Sequence, residues 1–177
     1  SSRILASLST LTFLVRGGAK EINLLTHFGR PEGVDEEFRL LTVAKALLKV
    51  LQERKLARSP KRGSPQLKVL ENKHAASPVF GRIYQIPPNF NLYENLRFDE
   101  REKANDPDFA KELAKLGQAY VNDAFSACHR SHASIIGLPK LLPSYTGFQI
   151  LRELKELEKL KGNPARPFVA LIGGVKI

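Results

Sequence analysis

The sequence predicts an α/β protein whose parallel sheet is flanked by helices on both faces. Two observations carry that prediction. Short apolar runs of strand length alternate with longer runs of helical period, in the order α, β, α, an unclear stretch, then β, α, β, α, β. The connections are short and hold Gly or Pro, as in the βα units of an open sheet.

Each element has its own reason. Arg3 to Val15 spaces Ile4, Leu8, Leu11 and Val15 as on one helix face, and Arg16-Gly17-Gly18 stops it. Lys20–Leu25 reads as a strand that runs into the turn Thr26-His27-Phe28-Gly29-Arg30-Pro31-Glu32-Gly33. Phe38 to Gln52 is an amphipathic helix carrying Leu40, Leu41, Val43, Ala44, Leu47, Leu48 and Leu51. Residues 54–90 hold seven Pro or Gly that interrupt every period, so the stretch reads as irregular, with a short helix or strand at Gln66–Asn72 and a strand at Val79–Ile86. Phe90–Tyr93 is a strand. Asp106 and Pro107 open a helix with Phe109, Leu113 and Leu116 on one face, closed by Gly117. Ala119–Val121 is a short strand, Gly147–Lys161 an amphipathic helix, and Phe168–Ile172 a last strand before Gly173-Gly174. The pattern is Rossmann-like.

Composition excludes several classes. At 42% hydrophobic residues the chain can build a core, yet it has no run of eighteen apolar residues to span a membrane. The single Cys128 excludes an internal disulfide, suits a reducing compartment, and leaves no CxxC pair for structural zinc. The formal charge of +10 invites a nucleic-acid reading, but the excess is local: residues 54–90 hold eight Lys/Arg against a single acid, Glu71. There is no Met, even at position 1, and the chain stops just after a strand and a Gly-rich turn. Both ends therefore read as cut from a longer protein.

Chemistry gathers at strand ends. In a parallel sheet the carboxyl ends of the strands lie along one edge, where ligands bind. His27 and Arg30, Arg97, and His129 with Arg130 all follow strands, and Arg3 at the start of the first helix can join them. Several guanidinium groups facing one crevice repel one another unless an anion lies among them. A phosphate plus a carboxylate is the simplest such anion, because Arg grips either with two hydrogen bonds. The plain alternative for each Arg alone is a solvated surface side chain.

Several separated motifs resemble the phosphoglycerate kinase family, specifically its N-terminal domain. They are RILASLSTL at 3–11, THFGRPEG at 26–33, ENLRF at 94–98, NDPDFAKELAKLGQAYVNDAFSACHRSHAS at 105–134, LPSYTGFQILRELKEL at 142–157 and NPARPFVALIGGVKI at 163–177. The resemblance covers about three quarters of the chain; residues 54–90 depart from the family pattern, Phe28 stands where Leu is usual, and Cys128 where a small residue is usual.

The resemblance implies a glycolytic phosphotransferase that moves a phosphoryl group reversibly between 1,3-bisphosphoglycerate and ADP, giving 3-phosphoglycerate and ATP with Mg2+. It implies a 3-phosphoglycerate-binding domain over 1–146, a connecting helix over 147–162, and the start of a nucleotide-binding domain over 163–177. By position it makes Arg3, His27, Phe28, Gly29, Arg30, Arg97 and Arg130 the substrate-binding set, with Arg3 also catalytic. It gives Gly173, Gly174 and Lys176 to the nucleotide phosphates, and no residue of this chain to a metal. It further implies a cytoplasmic monomer whose partners are small molecules, with neither membrane nor nucleic acid. The family's first strand, with an Asp and an Asn that hold substrate, would precede Ser1, and most of the nucleotide domain would follow Ile177.

Three other readings compete. The chain alone is a phosphoglycerate-binding module without activity. Its 54–90 segment binds single-stranded nucleic acid, with Phe80, Tyr84 and Phe90 stacking among basic residues. Cys128 beside His129 is a nucleophile, against which stands the rarity of sequence neighbours facing each other as nucleophile and base.

Overall fold

The computed structural model describes residues 2–57, 67–162, 166–169 and 171. Helix α1 spans Ser2–Arg16 and buries Leu8 and Leu11. It ends where Gly18 takes φ +85°, which lets the Ala19 N–H reach the Leu14 carbonyl at 3.0 Å. Strand β1 (Ile22–Leu24) follows, then the turn, then α2 (Leu41–Glu53). Strands β2 (Lys68–Glu71), β3 (Arg82–Ile86) and β4 (Phe90–Tyr93) complete a four-stranded sheet of order β1-β4-β3-β2. β1 runs parallel to β4, whereas β3 is antiparallel to both β4 and β2.

After β4 come α3 (Glu100–Lys103), α4 (Pro107–Ala114) and β5 (Tyr120–Asn122). Asp106 caps α4 by accepting the Phe109 N–H at 2.8 Å, and Pro107 occupies the first turn, where no intrahelical N–H is needed. β5 pairs in parallel with β6 (Ser144–Thr146) as a second, two-stranded sheet, and α5 (Phe148–Glu158) closes the order.

Alternation along β3 and β4 sorts side chains to two faces. Tyr84, Ile86, Phe90 and Leu92 meet Leu8 and Leu11 of α1 and Ala44, Leu47, Leu48 and Leu51 of α2. Ile83 and Tyr93 point the other way, to Phe109, Ala110 and Leu113 of α4 and to Ala133 and Leu138. Helices thus cover both faces of a mixed sheet.

The stretch expected to be irregular contains β2 and β3. Pro87 and Pro88, which break the period in the sequence, lie in the connection between β3 and β4, whose register pairs Ile86 with Phe90. Residues 58–66 of that stretch lie outside the described ones. β6 was not anticipated: its three residues are all exposed and carry no apolar signal. Of the strand expected over Phe168–Ile172, the described residues Phe168, Val169 and Leu171 are not in a strand.

Candidate functional site

The turn after β1 is held from the segment after β4. Glu94 is fully buried and its carboxylate is a hub: Oε1 accepts from the backbone N–H of Leu40 at 2.9 Å and of Asn95 at 3.0 Å. Oε2 accepts from the Tyr84 hydroxyl at 2.9 Å and from Arg39 Nη1 at 3.2 Å. A buried carboxylate is tolerable only with such partners. Next to it, Asn95 Oδ1 accepts from the N–H of Phe28 and of Arg97, each at 3.2 Å, and Nδ2 donates to the carbonyls of Phe28 at 2.8 Å and Phe38 at 3.0 Å. The Leu96 N–H reaches the Thr26 carbonyl at 3.1 Å.

Gly29 is required where it stands. It adopts φ +64°, and a Cβ there would come within 2.2 Å of two atoms of the Phe38 ring. Its carbonyl accepts a hydrogen bond from Arg97 Nη1. Arg97 is therefore both buried and aimed along the turn.

These devices bring separated residues to one cavity of about 320 Å3, lined by Arg3, His27, Phe28, Gly29, Arg30, Arg97, Ser126 and Arg130. All seven residues of the expected substrate-binding set line it. Arg3 comes from the first turn of α1, His27 to Arg30 from the turn after β1, Arg97 from the segment after β4, and Arg130 from the segment after β5. Ser126 is the lining residue that the sequence reading missed; a single small polar residue among small residues has no pattern of its own.

Electrostatics mark the cavity as cationic. Burial pushes the His27 imidazole down to about 4, helped by Arg97, Arg130, His132 and Arg3. Burial and the charges of Arg130 and Arg30 lower Arg97, and burial with Arg130 and Arg97 lowers His132. Near neutral pH the cavity holds four guanidinium groups and a neutral imidazole. An anion would relieve their mutual repulsion.

Behind this wall lies Glu102, 2% exposed. It accepts from Ser134 Oγ at 2.5 Å and from the Ser134 N–H at 3.0 Å, and lies 3.6 Å from His132 Nδ1. It therefore ties α3 to the segment that carries Arg130 and His132. His132 thus lies against this buried carboxylate, while His129 is exposed.

Two competing readings find no support in the described residues. Tyr84 and Phe90, which would have stacked on bases, are buried in the core, because they lie on the inward face of β3 and β4. The Cys128 thiol donates to the Ala124 carbonyl at 3.5 Å and accepts from Asn122 Nδ2 at 3.6 Å, and neither partner is a base. Gly173, Gly174 and Lys176 lie outside the described residues. Among the described residues no group of three or more His, Cys, Asp or Glu is arranged to hold a metal ion, and no helix is long and apolar enough to cross a membrane.

Comparison with known proteins gives a consistent answer. The family model described as phosphoglycerate kinase matches residues 1–177. Curated phosphoglycerate kinases of Coprothermobacter proteolyticus and Herpetosiphon aurantiacus are 40% and 45% identical, each over 99% of this chain and 42% of its own length. The structure of phosphoglycerate kinase from Coxiella burnetii superposes with a TM-score of 0.69 at 27% identity, over 94% of this chain and 38% of that one. The enzyme from Pyrococcus horikoshii gives 0.65 at 26%, over 92% and 39%. The chain thus spans about two fifths of the length of these relatives.

Proposed function

The chain belongs to the phosphoglycerate kinase family, and from that premise we propose that its basic cavity binds 3-phosphoglycerate in an enzyme that transfers a phosphoryl group reversibly between 1,3-bisphosphoglycerate and ADP. The observation that supports this reading most is the convergence of Arg3, His27, Arg30, Arg97 and Arg130 on one cavity. Four guanidinium groups suit a ligand with a phosphate at one end and a carboxylate or acyl phosphate at the other.

Each side chain then has a task. Arg97, held by Asn95 and by the Gly29 carbonyl, is a fixed donor, whereas Arg3 and Arg30 are exposed and free to meet the ligand. His27 contributes a neutral ring that gains a proton more readily once an anion is bound. Arg3, on the first turn of α1, neutralises charge on the phosphoryl group in transit. Such transfer depends on alignment and on charge stabilisation across the equatorial oxygens more than on covalent chemistry.

ADP with Mg2+ supplies the phosphoryl acceptor. The described residues offer it no carboxylate cluster, and the family resemblance gives Gly173, Gly174 and Lys176 to its phosphates. We assign residues 1–146 to the phosphoglycerate-binding domain, 147–162 to a connecting helix that contains α5, and 163–177 to the start of the nucleotide domain. A cytoplasmic monomer fits a glycolytic role.

The test is an assay of the complete gene product with ADP, Mg2+ and 1,3-bisphosphoglycerate. ATP and 3-phosphoglycerate should form in equal amounts. A folded enzyme that binds 3-phosphoglycerate yet makes no ATP would reduce the reading to a binding module.

A further inference from the structure

We propose that the Ser126 hydroxyl is a direct ligand of the anion held in the basic cavity, a neutral hydrogen-bond donor set among charged ones. The proposal rests on the reading of the cavity as a phosphoglycerate site. Ser126 is exposed and lines the cavity together with Arg3, His27, Phe28, Gly29, Arg30, Arg97 and Arg130. Three serines of the fold are committed to it: Ser77 donates to Asp99 at 2.6 Å, Ser134 to Glu102, and Ser144 to the Leu142 carbonyl at 2.8 Å. No hydrogen bond occupies the Ser126 hydroxyl among the described residues.

Its position is built. Asn122 at the end of β5 accepts the Ala124 N–H on Oδ1 at 3.0 Å and donates through Nδ2 to Cys128 Sγ. The Ala127 N–H reaches the Ala124 carbonyl at 2.9 Å, and the Arg130 N–H reaches Ala127 at 3.0 Å. These bonds fold residues 124–130 into tight turns that bring both Ser126 and Arg130 to the cavity.

The chemistry follows from what the cavity lacks. A phosphate or carboxylate has more acceptor lone pairs than the guanidinium groups can reach in good geometry at once. A freely rotating hydroxyl fills such a gap without adding to the repulsion among the four guanidinium groups.

Calorimetric titration of the complete gene product with 3-phosphoglycerate at several salt concentrations tests this. Ser126→Ala should weaken binding about tenfold, as expected for one hydrogen bond to a charged acceptor. The slope of log affinity against log salt should stay that of the parent, because no charge is removed. Ser126→Cys keeps the volume nearly unchanged but offers a far weaker donor, so it should lose as much as alanine. Parent-like affinity in Ser126→Ala overturns the proposal while leaving the site intact. So does a loss confined to Ser126→Ala, which would make packing the cause, or a changed salt slope, which would mean a displaced arginine. A parent protein that does not bind 3-phosphoglycerate overturns the functional reading itself.

Discussion

Asn95 clasps Phe28 at both of its backbone groups, accepting from the N–H at 3.2 Å and donating to the carbonyl at 2.8 Å. Two segments 67 residues apart are thereby locked at the point where the cavity begins. The same amide also accepts the Arg97 N–H and donates to Phe38. Asn95 is fully buried, so each of these partners would be left without water if it were lost. Asn95→Ala should destabilise the fold by about 2–4 kcal/mol, as for other buried hydrogen-bond networks broken from one side. Asn95→Asp keeps the acceptor but turns a carboxylate oxygen toward the carbonyls of Phe28 and Phe38 beside the buried Glu94, and should cost at least as much. Urea unfolding of the three proteins, compared at equal slope, checks the order.

The His27 prediction concerns pH. Its pKa in the fold is about 4, against an ordinary 6.5. The folded protein therefore binds fewer protons there than the unfolded chain. The contribution of His27 to stability is fully present above about 6.5 and is lost as pH falls toward about 4. An anion in the cavity offsets the four arginines and raises the His27 pKa. Sulfate, which does not titrate in this window, should therefore bind more tightly as pH falls from 6.5 toward 4. NMR titration of the imidazole with and without sulfate reads both effects. A His27 that titrates near 6.5 without ligand would contradict the cationic enclosure.

How much of this was legible in the sequence varies with the physics of each part. Helices α1, α2, α4 and α5 announced themselves because each keeps a 3.6-residue apolar period and several carry caps or Gly stops. β4 was legible for its apolar run. β2 was legible only as a short helix or strand within Gln66–Asn72, because its side chains are largely exposed and its pairing with β3 is a backbone matter that composition does not record. The Pro-Pro turn was visible as residues but not as a connection, since the partner strands had to be known first. In the site, the arginines were legible because the same residue type recurs after successive strands. Glu94 and Asn95 were quoted only as letters of a motif; their roles depend on burial and on contacts 54 and 67 residues away, which no local pattern carries. Ser126 and Glu102 were missed for the same reason.

Arg3 separates binding from catalysis. It sits on the first turn of α1 with its side chain exposed at the cavity. If it acts on the phosphoryl group in transit, Arg3→Ala should lower kcat by a hundredfold or more, on the order of 3 kcal/mol, while the dissociation constant of 3-phosphoglycerate rises only severalfold. Arg97→Ala should behave differently, weakening ground-state binding and stability together, because Arg97 is buried against the turn. Steady-state kinetics beside calorimetry on both variants makes the comparison. Equal losses in kcat and in affinity for Arg3→Ala would remove its transition-state role.

Gly147 lets the start of α5 pack against α1 and Asp123. The first amides of α5 are satisfied from outside the helix: Thr10 Oγ1 accepts the Phe148 N–H at 2.9 Å, and Asp123 Oδ1 accepts the Gln149 N–H at 2.8 Å. Phe13 of α1 meets Phe148 edge to face at 5.4 Å. This docking brings Asp123 so close that a Cβ on Gly147 would lie 2.2 Å from its Oδ1 and 2.5 Å from its Cγ. Gly147→Ala must therefore push Asp123 off the helix start, losing a cap as well as space. The expected cost is about 1–3 kcal/mol. Asp123→Ala loses the cap alone, about 1 kcal/mol. The double variant Asp123→Ala with Gly147→Ala should be less destabilised than the sum of the two, because the clash disappears with the carboxylate. A double-mutant cycle in urea measures the difference. Strict additivity would show that the two residues are not in conflict and that α5 starts without help from Asp123.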